Sequence, residues 1–109
     1  MASIEDFDRV EMRVGRVLSA QEFPEARNPA YKLRIDFGPE VGERRSSARI
    51  IHYPRAELEG RLVVGVVNLP PRRVAGFESQ VLVLGALDEA QGVVLLRPDR
   101  ECAPGDRIA

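Results

Sequence analysis

The chain has 109 residues, 44% of them apolar and 30% charged, with a formal net charge of −1. Those proportions suit a folded domain with its own core. They exclude a disordered tail and a protein that coats nucleic acid by bulk charge. A single Cys excludes an internal disulfide, no apolar run approaches the roughly 20 residues that span a bilayer, and the start is polar and acidic rather than signal-like. The expectation is one domain over residues 1–109, cytoplasmic and not inserted in a membrane.

Ser3 ahead of Ile4-Glu5-Asp6-Phe7 predicts a short capped helix, with Asp6 completing an approximate capping box. Ile4, Phe7 and Val10 share a face that must pack on something. Met12 and Val14 alternate with charged residues, and the apolar parity flips after Gly15-Arg16, which predicts a bulge or bend there in a long first strand. Two prolines make residues 23–29 a loop. Leu33, Ile35 and Phe37 alternate with Lys32, Arg34 and Asp36, the pattern of a half-buried strand. Residues 38–42 turn the chain, and Arg45 to Ile51 reads as a third strand with Ala48 and Ile50 inward. Pro54 to Glu59 fits a short helix closed by Gly60. Residues 62–67, 81–84 and 93–96 are short Val-rich runs, hence strands, with a hairpin link at 88–92. The tail from Pro98 is expected to be irregular. This order predicts an all-β, five-stranded Greek-key barrel, the OB-fold, with short helices and an appended C-terminal strand.

Charge is uneven along the chain. Between Arg44 and Phe77 seven arginines face Glu57 and Glu59, a local net of +5, while acids gather near the start. Such a segment either binds an anionic partner or is a solvated set of surface arginines.

Catalytic and metal-binding constellations are not recognisable. There is no phosphate-binding glycine loop, His52 is the only His, and nothing in the spacing pairs it with Cys102. No enzyme, metal site or cofactor is expected. The informative stretch is Asn68 to Ser79. Pro70-Pro71 stiffens a loop that projects Arg72 and Arg73, Gly76 permits a tight turn, and Phe77 sets an aromatic beside paired arginines. Phe77 either enters the core or joins Leu69 and Phe23 as an apolar surface for a peptide or a base. Arg45, Ser46, Ser47 and Arg49 form a second patch, next to Arg44, on the third strand.

At these residues the chain resembles the tRNA-binding-domain family of OB-folds, and within it the free-standing bacterial secretion chaperones of the CsaA type. The stretches that carry the likeness are I-E-D-F at the start, R-V-G-R-V at 13–17, F-P-E-A-R at 23–27, K-L-R-I-D-F-G at 32–38, S-S-A-R-I at 46–50 and V-N-L-P-P-R-R-V-A-G-F-E-S-Q-V-L-V-L-G at 67–85. The resemblance implies a homodimer that binds unfolded or precursor proteins before export, with a link to the export ATPase SecA. Relatives that bind tRNA carry Lys where Pro70 stands and an acidic residue near Gln80, so the departures point to the chaperone branch, with tRNA or structured RNA as the alternative ligand. Asn68, Leu69, Arg72, Arg73, Gly76, Phe77 and Ser79 are the candidate ligand loop, beside Arg45, Ser46, Ser47 and Arg49. Ile4, Phe7, Val10 and Ile108 are the candidate dimer stripe.

Overall fold

Local signals place the first element. In the computed structural model, which describes residues 1–109, α1 (Ile4–Asp8) is closed by a full capping box. The Ser3 hydroxyl accepts from the Asp6 N–H at 3.2 Å, and the Asp6 carboxylate accepts from the Ser3 N–H at 2.9 Å. The elements that follow are β1 (Met12–Glu22), β2 (Tyr31–Asp36), α2 (Gly38–Val41), β3 (Glu43–Ala48), α3 (Arg55–Leu58), β4 (Leu62–Val66), β5 (Arg72–Val74), β6 (Phe77–Ser79), β7 (Leu82–Val83), β8 (Gly85–Asp88) and β9 (Gly92–Leu95). No helix is long and apolar enough to cross a membrane.

One antiparallel sheet, ordered β3-β2-β1-β4-β7, rolls into a nearly closed five-stranded barrel, the expected OB-fold. β1 is long enough to serve two partners, pairing with β4 through Met12–Arg16 and with β2 through Arg16–Glu22. β3 and β7 share no ladder, and the seam between them is stitched by single bonds. Arg45 and Gln80 exchange two: the Gln80 N–H donates to the Arg45 carbonyl at 2.8 Å, and the Arg45 N–H donates to Gln80 Oε1 at 2.9 Å. The Ser46 hydroxyl donates to the Val81 carbonyl, and the Ser47 N–H donates to Ser79 Oγ, both at 2.9 Å.

The core is aliphatic around one ring. Leu33, Ile35, Phe37, Ile50, Leu58 and Val63 are almost fully buried. The Phe37 ring lies against two glycines. A Cβ at Gly15 would sit 2.6 Å from Ile35 Cγ2 and 2.7 Å from Phe37 Cε1, and one at Gly65 would sit 2.8 Å from Phe37 Cζ. Gly15 is therefore a site of close approach rather than of the bend. The register shift lies between Val17 and Ser19, where the extra residue Leu18 turns outward. The parity flip was visible in the sequence, but cross-strand pairing placed the bulge past the glycine.

The rest of the chain corrects some expectations and bears out others. β3 ends at Ala48, and its most buried side chain is Ser46, while Ile50 enters the core from beyond the strand. The stretch foreseen as a stiff loop holds the β5–β6 hairpin. The last apolar run is appended to the barrel as expected, pairing with β8 in a separate hairpin whose link lies at 88–92. The tail is irregular, as expected, and lies along the first half of β1: Val14 N–H donates to the Asp106 carbonyl, Gly105 N–H to the Val14 carbonyl and Ile108 N–H to the Met12 carbonyl. Arg13, expected outward, is buried beneath this tail. Its guanidinium donates to the Gly105 carbonyl and Glu11 at 2.9 Å each and to Glu40 at 3.3 Å, which compensates the desolvation of its charge.

Candidate binding surfaces

The hairpin decides where the paired arginines go. Ala75 and Gly76 both have positive φ, 47° and 82°, which closes a two-residue turn between Val74 and Phe77. Because strand side chains alternate, Arg72 and Arg73 leave on opposite faces. Arg72 lines a groove, whereas Arg73 Nη1 donates back to the Gly76 carbonyl at 2.9 Å. The structure thus divides a pair that looked like one unit in the sequence.

The groove holds about 400 Å³ and lies where the barrel seam widens beyond Ser47. Its walls come from the β1–β2 connection, the end of β3, β5, β7 and β9. Ile50, Val83, Val93 and Leu95 give it an aliphatic floor, and Arg27, Arg49 and Arg72 stand exposed around it. None of these three arginines takes part in an ion pair.

A second cleft, about 290 Å³, opens on the outer face of β1, β2 and β3. Lys32, Arg34, Arg45 and Phe77 line it, with Ser19 and Gln21. Lys32 Nζ sits 4.6 Å from the Phe23 ring centroid and 5.4 Å from that of Phe77, and the two rings meet edge-on at 5.5 Å. The Arg45 guanidinium lies 5.5 Å from Phe77. Arg34 stands opposite Arg45 in register, and their charges are partly answered by Glu43 at 3.4 Å and Glu78 at 3.7 Å.

Other candidate residues have framework positions. Asn68 spends both ends of its amide on the N-terminal segment: Oδ1 accepts from the Glu11 N–H at 2.9 Å and Nδ2 donates to the Arg9 carbonyl at 2.8 Å. Ser46 and Ser79 are buried in the seam bonds. Phe23, expected on the surface, is buried, and Phe77 is half-buried against it. Leu69 is exposed at the loop tip and Ser47 lines the groove. Of the candidate dimer stripe, Ile4 is exposed while Phe7, Val10 and Ile108 are half-buried. Leu82 on β7, Leu87 on β8 and Leu96 just past β9 are further exposed apolar residues. His52 Nε2 donates to the Val93 carbonyl at 2.8 Å and so braces β9. Burial pushes the Cys102 thiol up in pKa, and the carboxylates of Asp106 and Glu101 push the same way, the reverse of an activated nucleophile. Sequence reasoning did not single out Arg27, Lys32 or Arg34 as ligand contacts. The alternation on β2 contained the signal for the last two, since residues opposite in parity to Leu33 and Ile35 must face out.

The family model described as "Putative tRNA binding domain" matches residues 12–107. The chain belongs to the tRNA-binding-domain family. Among solved structures it is similar to the CsaA chaperone protein from Picrophilus torridus, 46% identical with a TM-score of 0.96 over all of both chains. It is also similar to chaperone CsaA from Bacillus anthracis, 52% identical with a TM-score of 0.93, covering 100% of this chain and 99% of that one. The methionine–tRNA ligase of Archaeoglobus fulgidus is 40% identical over 106 residues, which are 97% of this chain but 16% of that protein. The chain therefore spans about one-sixth of the ligase it matches and nearly the full length of the chaperones. Members of the tRNA-binding-domain family with this barrel point to a non-catalytic unit.

Proposed function

We propose that this chain is a CsaA-like molecular chaperone that binds unfolded or precursor polypeptides for export, and that the groove beyond the β3–β7 seam receives them. The observation that carries this reading is the groove itself: aliphatic side chains for an unfolded segment, framed by a preformed hairpin that lowers the ordering cost of binding. Full-length similarity to two chaperone structures supports it. A homodimer fits the apolar surface left on Ile4, Leu82, Leu87 and Leu96. SecA is the partner expected of an export chaperone, and the reading places the protein in the cytoplasm.

The family itself favours a second reading, binding of tRNA or structured RNA, for which the cation-and-aromatic cleft around Lys32, Arg45 and Phe77 is the suited surface. Salt separates the two. Affinity for an unfolded segment without charged flanks should change little as salt rises, while RNA bound through several phosphates should weaken steeply. A protein that holds RNA with a steep salt slope and ignores unfolded precursors would overturn the chaperone reading.

A further inference from the structure

The groove has an electrostatic character that its apolar floor conceals. Arg27, Arg49 and Arg72 surround it, none has an ionic partner, and no acidic residue lines it. Other arginines on the barrel are paired, Arg34 with Glu43, Arg45 with Glu78, Arg16 with Glu101 and Arg13 with Glu11 and Glu40, whereas the groove combines three unpaired guanidinium groups with a lining free of carboxylates. The groove also lacks any aromatic side chain on which a base could stack, in contrast to the cleft that holds Phe77. An aliphatic floor beneath unpaired guanidinium groups suits an occupant with aliphatic side chains and carboxylates.

We propose that the groove selects polypeptide segments in which aliphatic residues are flanked by Asp or Glu, and discriminates against segments flanked by Lys or Arg. The floor of Ile50, Val83, Val93 and Leu95 takes the aliphatic side chains, and Arg49 and Arg72 take the carboxylates through paired N–H donors. Charge thus adds selection to a floor that by itself accepts any aliphatic sequence. The inference rests on the polypeptide-binding reading of the same groove and narrows it to a class of segment.

The test is fluorescence anisotropy on the full chain, using short peptides with one common Val-Leu-Ala centre flanked by Glu, by Gln or by Lys. At low salt the Glu peptide should bind at least tenfold tighter than the Gln peptide, about 1.4 kcal/mol, and the Lys peptide should bind more weakly still. High salt should erase the ranking but not the binding of the Gln peptide. In a variant with Arg49→Glu and Arg72→Glu the order should reverse. Equal affinities, or a preference for Lys, in the unaltered protein would overturn the inference and leave the polypeptide reading standing. Absence of binding by all three peptides would remove both. An RNA oligomer that displaces the Glu peptide, and itself loses affinity in the double variant, would make the groove a nucleic-acid site and overturn the proposal. Should the variant unfold, the ranking in the unaltered protein still decides.

Discussion

Arg45 lies on β3 and Arg49 just past its end, only four residues apart in the chain, yet they serve different surfaces. At Arg45 the neighbours are Phe77 and Lys32, which suit stacking and phosphate contact. At Arg49 they are Ile50, Val83 and Leu95, which suit aliphatic side chains. Arginines close together in the chain therefore do not define one binding site. The elements packed around them do, and here the β5–β6 hairpin contributes to both, with Arg72 near one end lining one surface and Phe77 by the turn lining the other.

The strongest way to break the comparison is to remove what both surfaces share. Phe37→Ala would empty the centre of the barrel, at a cost of about 3–5 kcal/mol. Thermal melting should fall by many degrees, and peptide and RNA binding should fail together. Loss of one with retention of the other would mean that the surfaces do not depend on a common core.

The seam offers a subtler cut. Ser79→Ala leaves the Ser47 N–H without its acceptor, which should cost about 1–3 kcal/mol. Because the groove opens beside Ser47, denaturant titration should show the loss of stability while peptide affinity drops more than RNA affinity. An equal drop in both would show that the seam does not shape the groove.

The two surfaces can also be separated directly. Phe77→Ala should weaken RNA by about 1–3 kcal/mol if a base stacks there. Arg45→Ala should lower the salt slope of RNA binding by about one. Peptide affinity for the groove should stay within about twofold in both variants, since the residues concerned lie outside it. Parallel anisotropy titrations with RNA and with a Gln-flanked peptide would check this.

The smallest effect is at α1, distant from either surface in the chain. The Asp6 carboxyl is held below its usual range by the Ser3 backbone N–H, then by Arg9 and the Ser3 hydroxyl. A carboxyl depressed in the folded state contributes stability above its unfolded value of about 4, and that contribution is lost as pH falls through the folded value. Amide exchange at Asp6 and Phe7 should therefore quicken only below about pH 4, and Asp6→Asn should abolish the pH dependence. Binding at neutral pH should be unchanged.

Much of the fold was legible because its signals are local. Ser3 and Asp6 announce their capping box within four residues, and Leu33, Ile35 and Phe37 announce the buried face of β2 by parity alone. Lys32 and Arg34 then had to face outward, and their place on the outer cleft follows from the same rule. The long block from Val67 to Gly85 was enough to carry the family resemblance, because it combines fixed turns with fixed spacing.

What the tertiary structure alone decided is where polar groups find partners across the barrel. Asn68 looked like a ligand contact, but it bonds Glu11 and Arg9, nearly sixty residues away in the chain. Ser46 and Ser79 were candidate ligand contacts and instead stitch β3 to the end of the β5–β6 hairpin and to the residues that lead into β7. Arg13 followed an alternating pattern that pointed outward, until the ordered tail covered it and supplied the Gly105 carbonyl. Periodicity fixes which way a side chain leaves its own backbone. Whether it then meets water, a carbonyl or a ring depends on which distant segment the barrel closure brings against it. That is why the strands could be read one at a time, and why the groove, built from five separated segments, could not.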